Sequence, residues 1–196
     1  MVSPLDGVDR PLYRPARAAL RRVLSPLAKA RGFRVHGAAH LPTGPERLII
    51  ACNHASFADT AYLAIALRTP FVVCGAKPRL FRTPAQRALM RLVNVLRVDD
   101  HDQYLSDVTS LLWRGHLVVA YPEMGRNADG MGRFETWVAE VALATSTPVL
   151  PVYLHGTTRG HEPPVRLHVG ERLTPTGDAT AFTARIRDAI EALCCS

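Results

Sequence analysis

No run of consecutive apolar residues in this 196-residue chain approaches the ~18–20 that a bilayer-spanning helix requires. The amino terminus also lacks the basic, apolar and small-residue order of a secretory signal; it begins acidic and proline-bearing. Together these absences predict an intracellular protein. Cysteine is scarce. Cys52, Cys74, Cys194 and Cys195 form no Cys-x-x-Cys pair, which leaves both a disulfide framework and a zinc ribbon poorly supported. Cys52 and Cys74 lie in apolar runs and read as small buried hydrophobes. The terminal Cys-Cys-Ser is not a prenylation box, which needs cysteine four from the end. Internal repeats, linkers and low-complexity segments are missing. With 47% apolar and 21% charged residues, the composition is that of one globular domain with a sizeable core.

One segment lacks acid altogether. Residues 10–34 hold Arg10, Arg14, Arg17, Arg21, Arg22, Lys29, Arg31 and Arg34 and no Asp or Glu, within a chain of net charge +7. Tyr13 is the only aromatic interleaving those arginines up to Lys29, so a base-stacking surface is not formed and a nucleic-acid partner is not expected. Leu12, Ala16, Leu20, Val23, Leu24 and Leu27 recur at helical spacing, with arginines on the other side. Pro15 suits a first turn, and Pro26 should kink or end the helix. A basic amphipathic helix can lie in a bilayer interface, each basic residue near anionic lipid contributing about 1 kcal/mol. Alternatively its stripe packs on the domain. The chain is therefore divided into residues 1–31, a disordered start plus this helix, and a domain over 32–196.

Short apolar runs alternate with helical patterns along the rest. Strands are expected at 33–36, 47–52, 71–74, 95–98, 117–121, 148–154 and 165–169. Helices are expected at 11–30, 56–67, 84–92, about 100–113, 134–144 and 179–193. This order predicts an α/β fold, a single domain with a mostly parallel mixed sheet flanked by helices. Such sheets place their sites beyond the carboxyl ends of the strands.

Two strand ends carry the chemistry. The first reads Asn53-His54-Ala55-Ser56-Phe57-Ala58-Asp59, after Leu48-Ile49-Ile50-Ala51-Cys52. A histidine there can accept a proton near neutral pH, and a carboxylate five residues on can hold its tautomer and stabilise the imidazolium. The second reads Leu117-Val118-Val119-Ala120-Tyr121-Pro122-Glu123-Met124-Gly125-Arg126-Asn127. Glu123 and Arg126 can hold a polyol or phosphate, since arginine offers a planar fork of donors to phosphate oxygens; a structural ion pair is the competing reading. The other histidines offer less. His36 and His40 with His54 could mimic a zinc set, but no His-Glu-x-x-His context supports one. His155, His161 and His168 read as loop or exposed-strand residues.

These two blocks, in this order, resemble the lysophospholipid acyltransferase family, whose best-known members are 1-acylglycerol-3-phosphate acyltransferases. Asn53, His54, Ser56 and Asp59 match the family's Asn-His-x-Ser-x-x-Asp motif. Tyr121, Pro122, Glu123 and Arg126 match part of its Phe-Pro-Glu-Gly-Thr-Arg-Ser motif. Val149-Leu150-Pro151-Val152-Tyr153 is similar to a later apolar-proline motif. A looser second motif is met by Lys77, Leu80 and Phe81, then Val95 to Asp99. There are departures: Met124, Gly125 and Asn127 stand for Gly, Thr and Ser, Trp137 for a small residue. The arginine that often ends the second motif is Arg97 or, in another register, has become Asp100.

The resemblance implies a glycerol-3-phosphate acyltransferase-like fold and acyl transfer from acyl-CoA or acyl carrier protein to the hydroxyl of a lysophospholipid, lysophosphatidic acid by default. His54 would be the general base and Asp59 its orienter, with no covalent enzyme intermediate. Backbone N–H groups at the start of the helix after His54 would stabilise the oxyanion. Glu123 and Arg126 would hold the acceptor head group, and Arg97 and Lys77 would contact phosphate or donor. Asn53 and Ser56 complete the expected binding set, Ser56 more readily as a helix cap than as a nucleophile, since its neighbours form no Gly-x-Ser-x-Gly elbow. The mechanism calls for no metal or bound cofactor. With the basic helix it implies a protein on the inner face of the cell membrane. A hydrolase that uses the same pair to activate water, and a non-catalytic membrane-surface protein, are the alternatives.

Overall fold

The computed structural model describes residues 13–76, 78–127, 130–158, 160 and 164–194. Helix α1 (Tyr13–Ala30) is followed by β1 (Arg34–His36), β2 (Leu48–Cys52), α2 (Ala58–Ala66) and β3 (Phe71–Ala76). Then come α3 (Pro84–Leu92), β4 (Val95–Arg97), α4 (His101–Trp113), β5 (Leu117–Ala120) and α5 (Trp137–Thr145). Strands β6 (Val149–His155) and β7 (Arg166–Val169) and helix α6 (Ala179–Cys194) complete the chain. Seven strands form one sheet in the order β1-β7-β6-β2-β5-β3-β4. Every pairing is parallel except β6 with β7.

The central strands are apolar without alternation because both of their faces are covered. Every residue of β2 and of β5 is buried. Ile49, Ala51, Val118 and Ala120 face α4, α5 and α6, where Val108, Leu111, Val138, Phe182 and Ile186 close one core layer. Leu48, Ile50, Cys52, Leu117 and Val119 face the other way, against Leu63 and Leu67 of α2 and its flank. Each fully buried Leu or Ile contributes about 1.5–3 kcal/mol relative to an exposed one.

Strand order sets the place of the site. Adjacent strands β2 and β5 send their next helices to opposite faces, α2 to one and α5 to the other. Their carboxyl ends therefore separate into a crevice, the switch point where ligands bind in open α/β sheets. Both sequence motifs end there.

Some details differ from expectation. Pro26 does not end α1, because the helix continues through it to Ala30. Pro26 and Arg22 both lie at the exposed face, so water can satisfy the carbonyl that proline leaves unpaired, while Ser25 donates to the Arg21 carbonyl at 2.7 Å. The apolar stripe of α1 divides. Leu20 and Leu24 turn inward, whereas Val23 and Leu27 are 67% and 62% exposed. Leu12 and Arg10 lie outside the described residues, as do the side chains of Arg14, Ala16 and Arg17. Helix α5 opens at Trp137 rather than 134, since the Glu135 N–H donates to the Pro122 carbonyl instead of continuing a helix. His168 is buried rather than exposed, its ring stacked on His36 at 4.7 Å. Burial, with His36, Arg166 and His155 nearby, lowers its pKa. His161 lies outside the described residues. Among those described, no helix is long and apolar enough to cross a membrane.

Edge strand β1 is anchored through Gly37, whose φ is +71°. A Cβ there would lie 2.1 Å from the Val169 carbonyl oxygen. Gly37→Ala combines a left-handed backbone with a backbone clash, so it should lower stability by about 2 kcal/mol or more. Urea denaturation of the two proteins measures the difference.

Candidate active site

Asp59 sits in the first turn of α2 with no exposure to water. Its Oδ2 accepts from His54 Nδ1 at 2.9 Å, from the Ala55 N–H at 2.8 Å and from the Ser56 N–H at 2.9 Å. Its Oδ1 accepts from the Thr157 hydroxyl. Four donors, one of them the imidazole, compensate a charge that burial would otherwise penalise by several kcal/mol. The chain turns back from the end of β2 and wraps its own N–H groups around the carboxylate, which is why a five-residue spacing brings imidazole and carboxylate together.

With Nδ1 committed, Nε2 is the nitrogen left for chemistry, and His54 lines both cavities at the crevice. The Tyr121 ring stacks on the imidazole at 4.0 Å and 18°. The Tyr121 and Thr60 hydroxyls are hydrogen-bonded to each other at 2.9 Å, which fixes the stacking ring. Burial, with Cys52 and Asp59 nearby, raises the Tyr121 pKa well above the ordinary value, so it stays a neutral phenol. The Cys52 thiol is raised for the same reason, by burial and then by the Asp59 and Glu123 carboxylates. A thiolate nucleophile is thereby suppressed.

The remaining motif residues divide between support and site. Asn53 is buried and brackets Leu154 of β6, donating to its carbonyl at 3.1 Å and accepting from its N–H at 2.7 Å. It clips two strands and presents nothing to a ligand. Ser56 accepts from the Ala58 N–H at 3.2 Å, as a helix-start cap does. Glu123 is also turned inward. Its Oε1 accepts from the His54 N–H at 2.9 Å, and its Oε2 from the Gly132 N–H at 2.7 Å and from the Asn127 amide. The Asn127 N–H in turn donates to the His54 carbonyl at 2.8 Å. Glu123 thus staples the loop after β5 to the loop after β2, and its charge is spent on backbone and amide donors rather than on a head group.

Arg126 is exposed and faces the site. Its guanidinium lies 3.7 Å from the centre of the Phe57 ring. Arg97 is drawn elsewhere: on edge strand β4 it pairs with Asp99 at 2.7 Å and lines neither cavity at the crevice. Asp100 caps α4, accepting from the Gln103 N–H at 2.9 Å. Lys77 lies outside the described residues. Residues the sequence did not single out for the site are Thr157, Tyr121, Asn127 and Gly132. Only Tyr121 and Asn127 lay within a recognised motif; Thr157 reaches Asp59 across 98 positions.

Helix-start donors are mostly spoken for. The N–H groups of Ala55, Ser56, Ala58 and Asp59 all have partners, which leaves the Phe57 N–H without one among the described residues.

Two cavities meet at His54. One is apolar, about 560 Å³, and runs between α1, α2 and α3, walled by Leu20, Leu24, Ala64, Leu89, Met90 and Val93 among others. Its volume is that of a small-molecule site. The other is about 200 Å³ and is bounded by Tyr121, Met124, Gly125 and Arg126. Met124 holds a φ of +50°, a conformation costing roughly 1–2 kcal/mol in a non-glycine residue.

Thr157→Val should remove the donor at Asp59 Oδ1 and leave a buried acceptor unpaired, costing about 1–3 kcal/mol of stability. It should also slow turnover by about tenfold or more through a loosened imidazole. Thr157→Ser should retain both. Thermal melting and kcat of the three proteins check this.

Comparison with known proteins gives concordant results. The acyltransferase family model matches residues 32–155. The chloroplastic 1-acyl-sn-glycerol-3-phosphate acyltransferase BAT2 of Brassica napus is 29% identical over 129 residues, covering 63% of this chain and 37% of that protein. The chain thus matches little more than a third of that relative's length. The crystal structure of the 1-acyl-sn-glycerophosphate (LPA) acyltransferase PlsC from Thermotoga maritima superposes with a TM-score of 0.74 at 19% identity. That match covers 90% of this chain and 78% of the other, and shows that the two share a fold.

Proposed function

The chain belongs to the acyltransferase family, and from that premise we propose that it transfers a fatty acyl group from a thioester, acyl-CoA or acyl carrier protein, to the hydroxyl of a lysophospholipid, lysophosphatidic acid in the first instance. The observation that carries the reading is the pair His54–Asp59. One imidazole nitrogen is locked on a buried carboxylate, in a side chain that borders both an apolar and a polar cavity.

In this reaction Nε2 of His54 takes the proton of the acceptor hydroxyl as its oxygen bonds to the thioester carbonyl carbon. Asp59 stabilises the imidazolium that forms. The Phe57 N–H is the available backbone donor for the oxyanion. Collapse breaks the C–S bond, and the thiolate leaves with the proton from His54. Direct attack is supported by the state of the possible nucleophiles: Cys52 is held neutral, and Ser56 has no base at its oxygen among the described residues. The acyl chain occupies the 560 Å³ apolar cavity, and Arg126 receives the phosphate at the smaller one.

A membrane surface is the natural source of such an acceptor. Exposed Val23 and Leu27 on α1 and Leu89 on α3, on helices whose inner faces wall the apolar cavity, support docking there with Arg21 and Arg22 toward anionic lipid. The protein then works at the inner face of the cell membrane.

Incubation with a long-chain acyl-CoA and detergent-dispersed lysophosphatidic acid should release CoA only when acceptor is present. His54→Ala should lower that rate by about 10²–10⁴-fold. CoA release independent of acceptor would instead identify a hydrolase. Release by neither route, with carrier-protein donors and other lipid alcohols also inert, would mean a non-catalytic surface protein.

A further inference from the structure

Phe57 is the one residue of the first motif that is both large and exposed, at 57%, and it lines the apolar and the polar cavity alike. Exposure of a phenylalanine at this point has no packing rationale. Its ring instead carries the Arg126 guanidinium at 3.7 Å, van der Waals contact for a planar cation over a π face. Among the described residues Arg126 has no carboxylate or carbonyl partner, so Phe57 is what holds it.

We propose that Phe57 is a specificity-determining positioning residue, a shared wall that fixes Arg126 over the polar recess and so selects acceptors bearing a phosphate on the side away from the acyl cavity. This rests on the reading above, in which Arg126 receives that phosphate. Three consequences of the geometry support it. Stacking leaves the guanidinium edge, with its N–H donors, unobstructed for phosphate oxygens. It also removes rotamer freedom that a long exposed side chain would otherwise lose on binding. And the loop carrying Arg126 is already stapled beside His54 through Asn127 and Glu123, so the ring has only the side chain left to orient.

The test uses monomeric short-chain substrates, so that membrane docking does not enter. Phe57→Leu, Phe57→Trp and Arg126→Gln are compared with the parent for KM and kcat toward lysophosphatidic acid, KM toward acyl-CoA, and the affinity of monoacylglycerol as substrate or competitor. Thermal melting accompanies each. Phe57→Leu keeps an apolar wall and loses the π face. It should raise KM for the phosphorylated acceptor about 3- to 30-fold relative to whatever change it makes in monoacylglycerol affinity. Phe57→Trp should match or improve on the parent. An unchanged KM in Phe57→Leu, equal losses for both acceptors, or a tryptophan variant as poor as leucine would overturn the proposal, while a weakened Arg126→Gln would leave the phosphate reading standing. If Arg126→Gln itself binds the phosphorylated acceptor like the parent, the phosphate reading fails and this inference with it.

Discussion

A carboxylate with no access to water must be neutralised by its surroundings or not be charged at all, and in this chain Asp59 is satisfied from three directions. The turn after β2 supplies two N–H groups, the loop after β6 supplies a hydroxyl, and His54 supplies the imidazole. These partners come from two parts of the fold, the turn after β2 and the loop after β6. The parallel pairing of β2 with β5 and β6 sets where those loops emerge. The helix that begins at Ala58 sets where the carboxylate points. Loosening any of them leaves a buried charge short of a donor, which costs more than the hydrogen bond itself.

A second carboxylate repeats the arrangement one strand away. Glu123, at the end of β5, accepts from the backbone of His54 and of Gly132 and from the Asn127 amide. The absence of a side chain at Gly132 suits that closeness, because a Cβ there would displace the Asn127 amide. The two carboxylates therefore divide the work. Asp59 fixes the ring of His54 and Glu123 fixes its backbone, so the residue is held at both ends while one ring nitrogen stays open. Arg126, left outside this network, is free to meet a ligand, and among the described residues it is stacked rather than salt-bridged.

Much of the architecture was legible because it follows from local pattern. Seven apolar runs became seven strands, and six helical patterns became six helices, since uninterrupted burial and a 3.6-residue period are properties of short segments. The pairing of His54 with Asp59 was legible too, because both lie on one turn. Less of the site could be read. Glu123 looks in sequence like a ligand for a head group, and nothing local reveals that its acceptors are consumed by three donors from neighbouring loops. Arg97 looks like a phosphate contact, yet Asp99 two residues on takes it at the surface. Pro26 looks like a helix end, but it lies on the exposed face of α1 and the helix runs on to Ala30.

The amino-acid order alone determined the class of fold, the strand ends that carry the two motifs and the closeness of His54 to Asp59, because each depends on neighbours within about one turn or one strand. Tertiary structure decided the rest. It placed Thr157 on Asp59, Tyr121 over His54 and Phe57 beneath Arg126, contacts spanning 98, 67 and 69 positions. It also turned Leu20 and Leu24 of the α1 stripe into a cavity wall and left Val23 and Leu27 facing outward. Such contacts depend on which strands lie side by side, and adjacency in a sheet is set by the packing of the whole chain rather than by any one segment.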